Sequence, residues 1–193
     1  RNRDMVRHFG NRLDRDTGGD AAHDRQFHRM DGADRQGALG RIDPVAGDDL
    51  DRPGLTTALV AAGFAVVLCN PRGSAGYGGV HARAVIDALA TVDVADVLDF
   101  LDGVLAADDR LDAGRVGLMG GSYGAFLSAW IAGHHDRFAG VLLERGWFDP
   151  EPFVGTSDIG SFYVDAYMGP SAADRARVRP IDVADRITVP VLV

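Results

Sequence analysis

The sequence contains no lysine; all 20 of its basic residues are arginine. This bias points to G+C-rich coding DNA and carries no chemistry of its own. There is one cysteine, Cys69, so an internal disulfide framework is excluded. Cys69 sits inside an apolar run and is expected to be a buried, inert thiol. No apolar stretch approaches the ~20 residues of a membrane-spanning helix, and no charged-then-apolar leader is present. A cytoplasmic location is the expectation, although the chain begins at Arg1 rather than Met and reads as truncated. Positive charge is not in excess: the formal net charge is −8, which argues against nucleic acid as a partner. No cluster of residues has metal-ligand spacing, and Arg72 to Gly79 has the spacing of neither phosphate-binding motif. No metal or cofactor is therefore expected, and the oligomeric state is left open.

What is present divides the chain in two. Residues 1 to about 53 are dominated by Arg, Asp, Gly and His, and their few apolar residues follow neither a period of 2 nor one of 3.6. This stretch is expected to be irregular or disordered, or to be an out-of-frame reading of G+C-rich DNA. Residues 54–193 change character. Leu55 to Ala62 reads as a helix closed by Gly63. Phe64 to Cys69 is a short apolar run bounded by Gly63 and Asn70-Pro71, the pattern of a buried parallel strand.

Val94, Val97, Leu98, Leu101, Val104 and Leu105 then mark one helical face. Asp93, Asp96, Asp99 and Asp102 form an acidic row on the other face, expected to be solvated. Val116 to Met119 and Gly140 to Leu143 read as strands, with a helix from Ser122 to about Ala132 between them. Residues 145–180 read as loops and short helices, and a last strand is expected from Ile187 to Val193. Strands alternating with helices predict an α/β domain with a mostly parallel sheet.

Within that pattern Gly120-Gly121-Ser122-Tyr123-Gly124 fits G-x-S-x-G. The pattern gains weight from its context, a strand ending at Met119 and a helix opening after Ser122. So sharp a turn brings together the positions two residues either side of the serine, so Gly120 and Gly124 are expected to lack a Cβ for steric reasons. Ser122 would be held at a helix N-terminus, where the backbone N–H of Tyr123 and the helix dipole favour a developing oxyanion. The competing reading is a glycine-rich turn with an idle serine.

A serine nucleophile needs a histidine base and an orienting carboxylate, which in this fold follow it in the order acid, then base. Only His134 and His135 follow Ser122. They lie near the far end of the same helix, ~18 Å along its axis, and read as C-terminal helix residues. His81 precedes the serine and reads as a surface residue. Asp158 is a candidate acid, but the acid is better expected just after the strand at the end of the chain. The base and acid are therefore expected beyond Val193.

Four blocks carry a resemblance. Asn70-Pro71-Arg72-Gly73-Ser74-Ala75-Gly76-Tyr77-Gly78, the elbow at Ser122, Gly133-His134-His135-Asp136-Arg137-Phe138, and Gly155-Thr156-Ser157-Asp158-Ile159-Gly160 resemble the prolyl oligopeptidase family. The closest subgroup is that of acylaminoacyl-peptidase and dipeptidyl-peptidase-like enzymes. The resemblance runs from about residue 55 to 193. It implies an α/β-hydrolase domain of a serine peptidase acting on peptides, usually behind a β-propeller, with Ser122 as nucleophile and the Tyr123 N–H as an oxyanion donor. It also implies that Tyr77 matches a tyrosine serving as a second donor, with loop packing as the alternative, and that Arg72 braces its loop. The His-Gly-Gly-Pro motif of the subgroup has no counterpart at Gly40-Arg41-Ile42-Asp43-Pro44. Three functions follow as expectations: a serine peptidase, a related esterase or lipase, or a catalytically incomplete fragment.

Overall fold

The computed structural model describes residues 41–44 and 53–193. The elements run β1 (Arg41–Pro44), α1 (Pro53–Ala61), β2 (Val66–Cys69), α2 (Gly79–Arg83), α3 (Val92–Ala107), β3 (Gly117–Gly121), α4 (Tyr123–His134) and β4 (Gly140–Glu144). Three short helices follow, α5 (Pro150–Thr156), α6 (Gly160–Tyr167) and α7 (Ala172–Arg175), then a 3₁₀ helix (Pro180–Arg186) and β5 (Val191–Leu192). Among the described residues every strand pairing is parallel: β1 with β2, β3 with β4, and β4 with β5. β1 also lies beside β3, so the strands stand in the spatial order β2-β1-β3-β4-β5. The chain steps one way from β1 to β2 and the other way from β3 onward. The order therefore reverses between β1 and β3, and the carboxyl ends of strands at such a reversal form a ligand crevice.

α4 is the element around which the rest packs. Its sequence is apolar almost all round, and such a helix belongs inside. Ala125, Phe126 and Leu127 are fully buried and Ile131 is 1% exposed. Each large side chain of this kind contributes about 1.5–3 kcal/mol by leaving water. α3 shows the amphipathic stripe expected of it, burying Val97 and Leu101.

Its acidic row is not the solvated face expected. Asp99 and Asp102 are exposed, with Asp102 accepting from Arg137, but Asp93 is 1% exposed and Asp96 is engaged by Arg72. Heptad-like spacing locates a helix face but not what later packs onto it.

Other boundaries also shift. The N-terminal segment expected to be irregular to about residue 53 contains β1; the remainder of residues 1–52 lies outside the described residues. Four residues are too few to show a period, and β1 is defined by its pairing with β2. β5 is shorter than the expected strand from Ile187, because the 3₁₀ helix reaches Arg186 and only Val191 and Leu192 pair with β4. Cys69 is half-buried rather than buried, at the end of β2. Among the described residues no helix is long and apolar enough to cross a membrane, and no group of His, Cys, Asp and Glu could hold a metal.

Candidate active site

The site is built on the carboxyl end of β3. The Ser122 N–H donates to the Glu144 carbonyl at 2.9 Å, continuing the contact with β4. The Ser122 carbonyl already accepts from the N–H groups of Ala125 and Phe126 at 3.1 and 3.2 Å, which starts α4. The reversal between sheet and helix thus falls on Ser122 itself, at φ 55° and ψ −118°. A serine in this region stores roughly 1–3 kcal/mol of backbone strain, tolerated only where the surroundings over-determine it.

Gly120 is held where a side chain would not fit. A Cβ on Gly120 would stand 2.3 Å from both the carbonyl carbon and oxygen of Gly124. The Ser122 side chain is exposed at the tip of the turn. Tyr123 is the first residue of α4, so its N–H has no acceptor within the helix and lies at the positive end of the helix dipole.

The Tyr123 side chain turns away from the crevice. Its hydroxyl donates to Asp93 Oδ2 at 2.5 Å and accepts from the Ala90 N–H at 3.2 Å. Asp93 also accepts from the Val94 N–H at 3.0 Å. Burial, reinforced by the neighbouring Asp93, pushes the Tyr123 hydroxyl well above its ordinary range, so it stays protonated and donates. Burial likewise raises the Asp93 carboxyl, against the lowering effect of the Tyr123 hydrogen bond.

The loop that follows β2 carries the other candidate donor. The Arg72 guanidinium forms a forked pair with Asp96, with Nη2 to Oδ1 at 2.7 Å and Nε to Oδ2 at 2.9 Å, while its backbone N–H also donates to Asp96 Oδ2. This is the brace expected of Arg72, and it raises the arginine further above its usual value through that hydrogen bond. The Tyr77 hydroxyl accepts from Asn70 Nδ2 at 2.8 Å, and its ring lies 5.0 Å from that of His81. His81 is half-buried rather than at the surface, with Nε2 3.0 Å from the Pro71 carbonyl. Among the described hydrogen bonds none links Tyr77 to the elbow.

The remaining candidates lie apart from Ser122. His134 ends α4 with Nδ1 2.8 Å from the Trp130 carbonyl, and His135 caps the helix. Asp158 is exposed beside Ser157. Among the described residues, no histidine and no carboxylate side chain hydrogen-bonds Ser122.

Two residues near the elbow were not legible as such. Asp93 looked like one member of an acidic row. Arg145, just after β4, adopts φ 53° and lays its guanidinium against the elbow, 2.6 Å from where a Gly121 Cβ would be. With Leu142, Leu143, Glu144, Leu192 and Val193 it lines a cleft at the ends of β4 and β5. No spacing rule marks a single arginine after a strand.

Comparison with known proteins places this geometry. Residues 54–193 match the model of the prolyl oligopeptidase family. The chain is 41% identical over 107 residues to the uncharacterized peptidase YuxL of Bacillus subtilis, covering 55% of this chain and 16% of that protein. It is 35% identical over 102 residues to the acylamino-acid-releasing enzyme of Sus scrofa, covering 52% of this chain and 14% of that protein. The chain thus spans about a sixth of the length of these curated relatives. The acylaminoacyl peptidase structure of Pyrococcus horikoshii superposes with a TM-score of 0.71 at 23% identity, over 80% of this chain and 27% of that one. The parallel sheet, the flanking helices and this superposition establish the α/β-hydrolase fold. A family match over residues 54–193, around a strand–serine–helix elbow, shows that the chain belongs to the prolyl oligopeptidase family.

Proposed function

We propose that this chain carries the nucleophile of a serine-type peptidase that hydrolyses peptide bonds through an acyl-enzyme on Ser122. The observation that carries the reading is the backbone of Ser122, a non-glycine residue at φ 55° between strand and helix with its side chain exposed. In this role Ser122 Oγ attacks the substrate carbonyl and its proton passes to a histidine base. The tetrahedral oxyanion is received by the Tyr123 N–H, and the leaving amine takes the proton back. Water then releases the acid. One donor of this kind contributes about 3 kcal/mol to the transition state. Tyr77 is the proposed second donor; its oxygen accepts from Asn70 Nδ2, which leaves its own hydrogen to donate to the oxyanion.

The relatives named for releasing acylated amino acids make N-acylated peptides the first substrates to test. The base and its carboxylate are not among the residues grouped at Ser122, so the chain as it stands is proposed to be inactive. A fluorophosphonate probe should label Ser122 rapidly in the full-length protein and only slowly in residues 1–193 alone. Rapid labelling of the isolated chain, abolished in Ser122→Ala, would show that its own residues complete the site. Turnover of acylaminoacyl anilides by the full-length protein supports the peptidase reading. Turnover of simple esters alone would replace it with an esterase on the same fold.

A further inference from the structure

We propose that Asp93 is a positioning residue for catalysis, holding the oxyanion donor in place through its buried hydrogen bond to the Tyr123 hydroxyl. The inference rests on the reading of Ser122 and the Tyr123 N–H given above and extends it to a residue outside the crevice.

Tyr123 has two ends with separate tasks. Its backbone N–H opens α4 beside Ser122, and its hydroxyl lies in a closed polar cluster under the elbow. That cluster is fully partnered. Asp93 receives the Tyr123 hydroxyl at 2.5 Å and the Val94 N–H at 3.0 Å, with the Ala90 N–H at 3.4 Å, and Ala90 also donates to the Tyr123 oxygen. A carboxyl that is 1% exposed loses its hydration, so a buried polar group at this place specifies a position rather than adding bulk stability.

The anchor is itself rigid. Asp93 lies in the first turn of α3, whose Val97 and Leu101 are in the core. Ala90 is held at φ 56°, against the preference of an alanine. The Tyr123 ring also stacks on Phe126, centroids 5.6 Å apart. The elbow is therefore fastened on two sides, by the bond from the Ser122 N–H to the Glu144 carbonyl and by the Tyr123–Asp93 pair. Strain at Ser122 needs such double fastening to persist. Loss of one fastening lets the N–H drift from the place where the oxyanion forms, and that interaction is strong only at the right distance.

The test uses the full-length protein with Tyr123→Phe, Asp93→Asn and the double variant. Tyr123→Phe keeps the ring in its packing and removes only the hydroxyl, so it serves if Asp93→Asn folds poorly. The expected result is a fall in kcat of about tenfold with KM changed less than about twofold, the pattern of an interaction made in the transition state. A trifluoromethyl ketone inhibitor, which forms a tetrahedral oxyanion on the serine, should weaken in parallel with kcat/KM, and the double variant should be no worse than the poorer single one, since both remove one bond. Wild-type kcat in Tyr123→Phe alongside a lowered Tm overturns the proposal and leaves the pair a packing feature. Losses that multiply in the double variant overturn it as well. Fluorophosphonate labelling of the wild type separates the two levels: labelling at Ser122 with unimpaired variants sinks only the positioning role, whereas no labelling at Ser122 sinks the nucleophile reading on which it depends.

Discussion

The half of the molecule around α4 and the half that follows β4 share one apolar core, which takes in Val164 and Met168 as well as Phe126, and differ in how the rest of each is tied. From β2 to β4 the structure depends on apolar burial and on backbone approach so close that side chains are excluded. Phe126 and Leu127 are fully buried, and Gly120 abuts Gly124. From Asp149 to Arg186 the segments are short helices joined by arginines. Arg175 reaches Glu151 and Asp165, Arg177 reaches Asp87 and Asp174, and Arg179 reaches Asp149 and Asp182. A ladder of rings, Phe126–Trp147 at 4.3 Å and Trp147–Phe153 at 4.6 Å, joins the two halves. In the first half the serine turn itself is fixed by backbone contact at Gly120, with no side chain that can give way. The second adds ties through long arginine side chains, of which Arg177 and Arg179 are partly exposed and Arg175 is largely buried. A nucleophile that stores strain belongs on the first.

The sharpest way to break this contrast is Gly120→Ala. The added methyl meets backbone rather than a movable side chain, so a loss of about 3 kcal/mol or more is expected, at or beyond the upper end of overpacking costs, together with loss of serine labelling. Denaturant titration and probe labelling measure the two effects. Unchanged stability would mean that the elbow can open, and the strain argument at Ser122 would fall with it. Phe126→Ala should cost about 3–5 kcal/mol through its cavity, and should also loosen Trp147, read as a shift in tryptophan fluorescence. If fluorescence is unmoved, the ring ladder does not couple the halves.

This contrast also explains which parts the sequence made legible. The elbow could be read because sterics at Gly120 leave no alternative residue type, and α4 because Ala125 to Ile131 is apolar but for Ser128. The brace from Arg72 followed from the resemblance. Asp93 could not be read, since its burial comes from Tyr123, 30 positions away, and nothing in an i, i+3 row distinguishes a buried carboxylate from three others. The helices after β4 were only loosely legible. Their ends are set by local caps, such as Ser171 with Asp174 and Asp149 with Glu151, and by ion pairs whose partners stand far apart in the chain. β5 was read too long because an apolar run marks the possibility of a strand, whereas a ladder needs a neighbour in register.

A smaller effect is expected at the loop after β2. Arg72→Ala removes the fork to Asp96, and because Arg72 is 42% and Asp96 25% exposed, the loss should be about 1 kcal/mol. Hydrogen exchange should quicken in Asn70 to Tyr77 and stay unchanged in α4. Arg175→Gln should give the complementary pattern, faster exchange in α5 and α6 alone. Opening spread evenly over both halves in either variant would show that neither tie acts locally and that the shared core opens as one cooperative unit.

The smallest effect expected is electrostatic, and its sign is fixed by the Asp149–Arg179 pair. The Arg179 guanidinium, 2.7 Å from Asp149 Oδ2, holds that carboxyl below its ordinary value, helped by the Glu151 N–H. A carboxyl depressed in the folded state adds stability that is present above its unfolded value and lost as pH falls through the folded one. The difference in denaturation midpoint between the wild type and Arg179→Gln should therefore be constant above about pH 5 and shrink below about pH 4. The Asp93–Tyr123 pair behaves oppositely. Burial raises the Asp93 carboxyl, so its desolvation favours the protonated form on folding and weighs against stability as pH rises past the ordinary carboxyl range. Tyr123→Phe should steepen that limb, because it deletes the strongest hydrogen bond to the charged form. If the two variants instead showed the same pH dependence, the buried pair under the elbow would be solvated like the surface pair after β4, and the distinction between the two halves would not extend to their charges.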